Sequence, residues 1–209
     1  MKTAIQIVLL IAIVALGYFL YDSIMEPIHF NKEVKIRETA TVDRLKDIRT
    51  IQVAYKDIYG KYTGSFDTLI NFVKNDSFPI VREDFLPGWD PDKYTKEEGI
   101  KMGLVVRSIA KKSVKDSLFK SPDYQIDRLK YIPYTNGKEF SLGAGEVMTA
   151  SQVKVKVFEA SAPYSVLLAG LDNQLVINYV YDREKITKFP GLKVGSLEEA
   201  TNNAGNWEN

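Results

Sequence analysis

The strongest pattern in the chain is an uninterrupted run of hydrophobic residues near the N-terminus. Residues 4–21 are AIQIVLLIAIVALGYFLY, in which Gln6 is the one strongly polar residue and no residue is charged. As an α-helix with a rise of about 1.5 Å per residue, this run is about 27 Å long, close to the ~30 Å hydrocarbon core of a bilayer. The pattern predicts a transmembrane helix within residues 1–25.

Two fates are open for this segment. Lys2 and the small residues at 15–17 (ALG) are typical of a cleavable signal peptide, which would leave a soluble periplasmic protein. The hydrophobic run continues through residues 18–21 (YFLY), however, and aromatic residues suit a membrane interface. This continuation favours an uncleaved signal anchor. The very short N-terminal tail is typical of an export signal, so we expect the N-terminus in the cytoplasm.

A helical pattern follows the apolar run. Pro27 predicts a break or kink near residues 25–27, because proline removes a backbone hydrogen bond. Residues 31–59 then form a predicted helix, with Asn31 as its N-cap and Gly60 as its stop. Its buried stripe recurs at four-three spacing and contains Thr41, Leu45, Ile48, Gln52, Tyr55 and Tyr59.

The stripe allows two interpretations. The helix can pack on its own domain, or it can act as a stalk that packs on another chain. The second interpretation makes Leu45, Ile48, Gln52 and Tyr55 candidate interaction residues. The helix would then be a juxtamembrane spine over residues 26–75.

The spine ends in a short predicted helix and an irregular segment. Ser65 is a suitable N-cap for a helix over residues 66–74, whose buried face would contain Leu69, Phe72 and Val73. Residues 76–98 contain prolines, a glycine and many charges. This composition predicts an irregular connection.

Strand patterns dominate the rest of the chain. Alternating or β-branched runs predict strands at residues 102–109, 127–134, 138–142, 153–158 and 175–181. Asn136-Gly137 predicts a hairpin turn, residues 143–145 and 191–195 are predicted turns, and residues 163–171 are a possible short helix. Ser196 and Glu199 form a capping-box pattern for a last helix. We therefore predict an α+β fold with a mainly antiparallel β-rich domain over residues 99–209.

Composition excludes several classes of function. The 28 Lys and Arg residues against 27 Asp and Glu residues leave a net charge of +1, which argues against a nucleic-acid partner. The chain has no Cys and a single His, His29. Disulfides, thiolate nucleophiles and multi-histidine metal sites are therefore excluded, and we expect no cofactor.

One catalytic pattern is present. Ser108 and Lys111 match the S-x-x-K spacing of serine acyl-transfer enzymes, where the Lys accepts the Ser proton from one helical turn away. Ser151 and Lys154 match it equally, the companion S-D-N and K-T-G motifs are absent from the sequence, and Ser108 lies in a predicted strand. We predict no catalytic residue, and a cell-envelope hydrolase is only a second alternative function.

A resemblance adds to this picture. Residues 44–73, RLKDIRTIQVAYKDIYGKYTGSFDTLINFV, resemble the helix and aromatic-rich turn of the pseudopilins of type II secretion systems. The apolar segment lacks the glycine cleavage site and the acidic fifth residue of that family. What the resemblance implies is a bacterial, membrane-anchored envelope protein with a helical spine.

These observations favour a non-enzymatic, single-pass protein of the bacterial inner membrane. Its exported C-terminal domain would have a structural or assembly role in a membrane complex, through other envelope proteins or self-association. The first alternative is an anchored module that binds glycan or peptide through exposed aromatic residues. The candidates for that role are Trp89, Tyr94, Tyr131, Tyr134 and Trp207.

Overall fold

A computed structural model of the chain describes residues 2–119, 124–187 and 189–208, the side chains of residues 2 and 4 excepted. It is 49% helix and 22% strand, and its sheets are antiparallel, which confirms the predicted α+β class. The elements are α1 (Lys2–Tyr59), α2 (Phe66–Asn75), β1 (Ser77–Phe85), α3 (Lys96–Lys101), β2 (Val105–Ser113), α4 (Val114–Leu118), a 3₁₀ turn (Ile126–Arg128), β3 (Ser141–Met148), β4 (Lys154–Pro163), α5 (Tyr164–Leu167), α6 (Asn173–Ile186) and β5 (Gly191–Gly195).

Helix α1 is a single helix of 58 residues. The predicted break at Pro27 and the predicted N-cap at Asn31 are therefore wrong. Proline in a helix interior removes one hydrogen bond at about 3 kcal/mol, and a helix this long retains all its other bonds on both sides. The predicted stop is confirmed, because α1 ends at Tyr59 and Gly60 follows with a φ of 68°.

The described chain divides into two compact units. The first unit comprises residues 1–49 and 130–209, and the second comprises residues 50–129. The sequence-based division into a helical spine and a β-rich domain follows composition, whereas these units follow contacts within the fold.

The second unit contains α2 and the two-stranded sheet β1–β2. Ser65 caps α2 by accepting a hydrogen bond from the Thr68 N–H, and Leu69, Phe72 and Val73 are buried, as predicted. The irregular connection predicted over 76–98 is right for residues 86–95, which form no helix or strand. It is wrong for its first part, where β1 pairs with β2, and for its end, where α3 begins at Lys96. The strand predicted at 102–109 is partly right, since β2 runs over Val105–Ser113. The hydrogen bonds between β1 and β2 stabilise these strands, and such long-range pairing cannot be inferred from local composition.

The first unit contains a three-stranded antiparallel sheet in the order β3–β4–β5. Strand β4 confirms the strand predicted at 153–158, and α5 confirms a helix within 163–171. Strands β3 and β5 replace the turns predicted at 143–145 and 191–195. Gly195 lies against β4 so closely that a Cβ atom would be 2.1 Å from the Phe158 carbonyl oxygen. A residue with a side chain would collide with β4 at this position, so glycine is required for the close pairing of β5 with β4.

The hairpin predicted around Asn136-Gly137 is reduced to its turn. Gly137 has the expected positive φ of 74°, but the flanking strands are replaced by a 3₁₀ turn and a single bridge between Tyr131 and Glu139. The predicted strand at 127–134 is therefore wrong, since only isolated hydrogen bonds such as Ile132 N–H to Lys138 C=O form there. The strand predicted at 138–142 is right only at its end, where β3 begins at Ser141.

Residues 175–181 form helix α6, so the predicted strand is wrong. Asp172 caps this helix by accepting a hydrogen bond from the Leu175 N–H at 2.9 Å. Aromatic and β-branched residues favour strands only weakly, and a strong cap with tertiary packing outweighs that preference.

The predicted C-terminal helix is also absent from residues 196–208. Ser196 Oγ accepts hydrogen bonds from the N–H groups of Glu198 and Glu199, as a capping box would. No helix follows, because Asn202 and Asn203 adopt positive φ values of 53° and 60°, and single left-handed residues end a helical path.

Candidate functional site

The four predicted interaction residues are buried in the chain. Leu45, Ile48 and Gln52 are 0% exposed and Tyr55 is 8% exposed. Burial of this kind corresponds to the interpretation in which the stripe packs within its own chain. The four residues offer no free surface to a partner in this conformation.

Gln52 and Tyr55 organise the turn that follows α1. The Gln52 amide donates to the Thr63 carbonyl at 2.6 Å and accepts from the Thr63 N–H at 3.1 Å. The Tyr55 ring packs edge-on against Phe72 with 5.2 Å between centroids. These contacts give both polar atoms of a buried amide a hydrogen-bond partner and align α2 with the end of α1.

The first unit contains a polar cleft of about 380 Å³. One wall is a face of α1 that includes Lys35 and Glu38, and α5 and α6 contribute Tyr164 and Arg183. The C-terminal segment adds Trp207. We refer to this cavity as the Glu38 cleft.

Glu38 is the centre of a hydrogen-bond network at the cleft. Its Oε1 atom accepts from the Tyr164 hydroxyl at 2.6 Å and from the Tyr179 hydroxyl at 2.8 Å. Arg183 donates to the Tyr179 hydroxyl at 2.9 Å and its guanidinium lies over the Tyr179 ring. The carboxylate, two phenols and guanidinium form one connected charge-assisted network.

The environment holds both phenols in their neutral form. Burial, followed by the hydrogen bond to Glu38, raises the pKa of Tyr164 well above its usual range. The same two causes raise the pKa of Tyr179. The phenols therefore act as hydrogen-bond donors at physiological pH and do not supply a phenolate nucleophile or base.

Trp207 is positioned by strand β5. Asn206 accepts from the Lys193 N–H at 3.0 Å and donates to the Gly191 carbonyl at 2.8 Å, so the C-terminal segment lies along β5. The Trp207 Nε1 atom is buried and has no hydrogen-bond partner among the described residues. The indole N–H is thus a buried donor left without a hydrogen bond, which costs free energy.

The charged side chains of the cleft have both signs. Lys35, Lys46 and Arg183 provide cations, and Glu38 and Asp43 provide carboxylates. Asp43 lies 3.4 Å from Lys46 and Glu38 is occupied by the phenols. The groups that remain to receive a ligand are therefore mainly donors, which suits a polar or anionic molecule rather than an apolar one.

The predicted aromatic residues do not form one surface. Trp89 and Tyr94 lie in the second unit, whereas Tyr131, Tyr134 and Trp207 lie in the first. Of these five, Trp207 is the one that lines the Glu38 cleft. Tyr134 is strongly exposed, and Trp89 packs against Phe85 with 5.6 Å between ring centroids.

The S-x-x-K pattern lies in an extended strand. Ser108 and Lys111 both belong to β2, where residues three apart point to opposite faces. The Lys amine is therefore not directed at the Ser hydroxyl. Among the described residues, no group of three or more His, Asp or Glu side chains is arranged to hold a metal ion.

The sequence interpretation missed Glu38, Tyr164, Tyr179 and Arg183 as a group. The predicted strand at 175–181 ended before Arg183, so Arg183 was not placed in the same element as Tyr179. The available indication was Asp172, whose N-cap would have predicted a helix that aligns residues 179 and 183 at a spacing of four.

Comparison with protein-family models, characterised proteins and solved structures found no match to this chain.

Proposed function

We propose that this chain is a single-pass protein of the bacterial inner membrane with a structural or assembly role in a membrane complex. The observation that carries the proposal is helix α1. Its apolar side chains from Ile5 to Ile24 are exposed, as is Ile28, whereas Phe30 and Val34 are buried. One helix is thus long and apolar enough in its first part to cross a membrane, and it continues into the folded chain without a break.

A continuous helix joins the apolar first part of α1 to the folded part of the chain without a flexible linker. A flexible linker would let the folded part move freely relative to the bilayer, but α1 passes through Pro27 without a loop. This suits a protein that holds a partner at a set distance from the membrane. The resemblance of residues 44–73 to pseudopilins, which implies a bacterial, membrane-anchored envelope protein with a helical spine, supports the anchored part of the proposal. The proposed orientation has the N-terminus in the cytoplasm and the residues after the anchor exported.

Alkaline carbonate extraction of membranes tests the anchor. We expect the chain to stay in the membrane pellet, because about 20 apolar residues stabilise a spanning helix. The intact mass should correspond to the uncleaved chain. Release into the supernatant with loss of the first residues, through Gly17 or nearby, would establish a cleaved signal instead.

In-membrane crosslinking tests the assembly role. A photo-crosslinker at Ile36, an exposed apolar position on α1, should give defined higher-mass products. The matched control places the same group at Lys46, which is exposed and polar. Recovery of monomer alone from Ile36, in membranes where the chain is correctly anchored, would contradict the assembly role.

A binding module is the second candidate, and the Glu38 cleft favours it. Donors from Arg183 and Lys35, beside the Trp207 ring, suit a glycan or an acidic peptide. A screen of glycans and peptides by thermal shift should identify ligands whose effect falls in the variant Lys35→Gln. The absence of any ligand that depends on Lys35 would leave the cleft as a structural feature.

A further inference from the structure

The two-stranded sheet β1–β2 has an unusual degree of exposure. Every residue from Val106 to Lys112 in β2 is exposed, so both faces of this strand lack a covering layer. Val81 and Ile109 are direct cross-strand partners and remain 54% and 71% exposed. Isolated two-stranded ribbons are only marginally stable in water. A third strand would therefore stabilise the β1–β2 sheet directly.

The hydrogen bonds just beyond each end of the ladder reveal which backbone groups face outward. Leu86 donates to the Leu104 carbonyl at 2.9 Å and Val114 donates to the Asp76 carbonyl at 3.0 Å. Bonded and non-bonded pairs alternate in an antiparallel ladder. The register Val81↔Ile109 therefore belongs to a non-bonded pair, and its N–H and C=O groups point away from the partner strand.

The same alternation distinguishes the two edges. On β1, Pro79 is an outward residue, and proline has no N–H to offer, so this edge is interrupted. On β2, the outward residues Arg107, Ile109 and Lys111 each retain a donor and an acceptor. Among the described residues, no backbone hydrogen bond engages these outward groups.

Charge indicates which kind of strand the open edge accepts. Strand β2 has the cations Arg107, Lys111 and Lys112 and no acidic residue. Arg107 is 2.7 Å from Glu83, but neither Lys111 nor Lys112 has an ion pair among the described residues. A second copy of β2 would bring further cations without an acid, and like charges across a strand pair are destabilising. The edge thus repels its own copies and attracts an acidic strand.

We propose that the outer edge of β2 binds an acidic, extended segment of a partner protein as an antiparallel third strand. Cross-strand partners share a face, so the segment should have an acidic residue opposite Arg107, an apolar one opposite Ile109 and an acidic one opposite Lys111. The expected pattern is acid-x-apolar-x-acid. This proposal rests on the assembly role proposed above and identifies the partner surface for it.

The direct test is binding of a labelled peptide, Thr-Thr-Glu-Thr-Val-Thr-Glu-Thr-Thr, to the full chain in detergent. We expect saturable binding below about 1 mM. N-methylation of the central Val should weaken it at least about tenfold, because that N–H faces β2 in an antiparallel pair. N-methylation of a neighbouring Thr, whose N–H points away, should have little effect. Equal loss from both peptides, or no binding at all, would overturn the proposal.

Variants of the protein complete the test. Ile109→Pro removes an outward donor without removing a β1–β2 hydrogen bond and should weaken binding at least about tenfold. Ile109→Thr retains the donor and serves as its control. Lys111→Glu should abolish binding of the acidic peptide and confer binding of a peptide with Lys in place of the Glu at position 3, the one opposite residue 111. Lys112→Glu makes the same change of charge on the opposite face and should affect binding less.

The experiments separate failure of the edge-binding proposal from failure of the proposed membrane anchor. If Ile109→Pro does not fold by circular dichroism, the N-methylated peptides still decide the result. A wild-type dimer in sedimentation that is lost in Ile109→Pro would mean that a second copy occupies the edge, which would overturn the acidic partner. A chain extracted by carbonate that still binds the peptide would refute the anchor and leave the edge site established.

Discussion

Glu38 shows how a single carboxylate defines the most polar part of the first unit. It accepts from two phenols, and Arg183 donates to one of them. None of these residues is unusual alone in the sequence. The network makes Tyr164 a buried hydrogen-bond donor, and burial with the hydrogen bond to Glu38 raises the pKa of its phenol.

The raised pKa of Tyr164 predicts a specific dependence of stability on pH. The folded state retains the phenol proton more strongly than the unfolded state, so this stabilisation is complete below the unfolded pKa of about 10. It is lost as the pH rises further, by up to about 1.4 kcal/mol per pH unit for one phenol. Urea unfolding between pH 8 and pH 11, on the order of the phenol range, should show this fall in wild type.

The variant Tyr164→Phe isolates the effect. Its free energy of unfolding should be lower by about 1–3 kcal/mol at neutral pH, and its decline above pH ~10 should be shallower. Tyr134→Phe, which changes an exposed ring, is the matched control. Parallel curves for wild type and Tyr164→Phe would show that the Glu38 network does not contribute to folding.

Gln52 supports a second prediction at the scale of the residue. Its buried amide makes paired hydrogen bonds with the backbone of Thr63. Gln52→Ala leaves both backbone groups without these partners and should destabilise the fold by about 1–3 kcal/mol. Gln174→Ala, on the exposed surface of α6, should change stability by less than about 0.5 kcal/mol. Equal melting curves for the two variants would contradict the structural role of Gln52.

At the scale of the element, α1 combines two environments in one helix. Its first part exposes apolar side chains continuously, and its later part has a buried stripe with polar residues opposite. Helix propensity does not distinguish these parts. The difference lies in what surrounds each part, and it explains why Pro27 does not end the helix.

The buried stripe predicts a loss of folding rather than a loss of partner. Ile48→Asp places an unpaired carboxylate at a position that is 0% exposed, and should destabilise the fold by more than about 3 kcal/mol. Lys46→Asp, two residues away and exposed, is the control. If Ile48→Asp melts like wild type while a complex dissociates, the stripe is an interface between chains after all.

At the scale of the whole molecule, the apolar segment makes no contribution to the core. The exposed residues of the segment, from Ile5 to Ile24, have no covering side chains in the chain itself. Their apolar surface, worth roughly 25 cal/mol per Å² when removed from water, is available to a bilayer.

Truncation tests whether the apolar segment is independent of the folded core. A chain that begins at residue 25 should be soluble without detergent and should melt within a few degrees of the full chain in detergent. The reason is that the removed side chains make no buried contacts. Circular dichroism melts of both forms give the comparison. A truncated chain that aggregates or melts far lower would show that the segment supports the fold, and would weaken its assignment as an anchor.

The sequence alone determined features that depend on local chemistry. The exposed apolar helix, the end of α1 at Gly60, the Ser65 cap and the turn at Gly137 each follow from a few adjacent residues. Tertiary structure decided what depends on distant partners. The strand β1 in a proline-containing segment, the helix at 173–186, the burial of Leu45 and Ile48, and the network around Glu38 all require groups far apart in the chain. A local pattern limits which elements can form, but long-range hydrogen bonds and packing supply the free energy that selects among them.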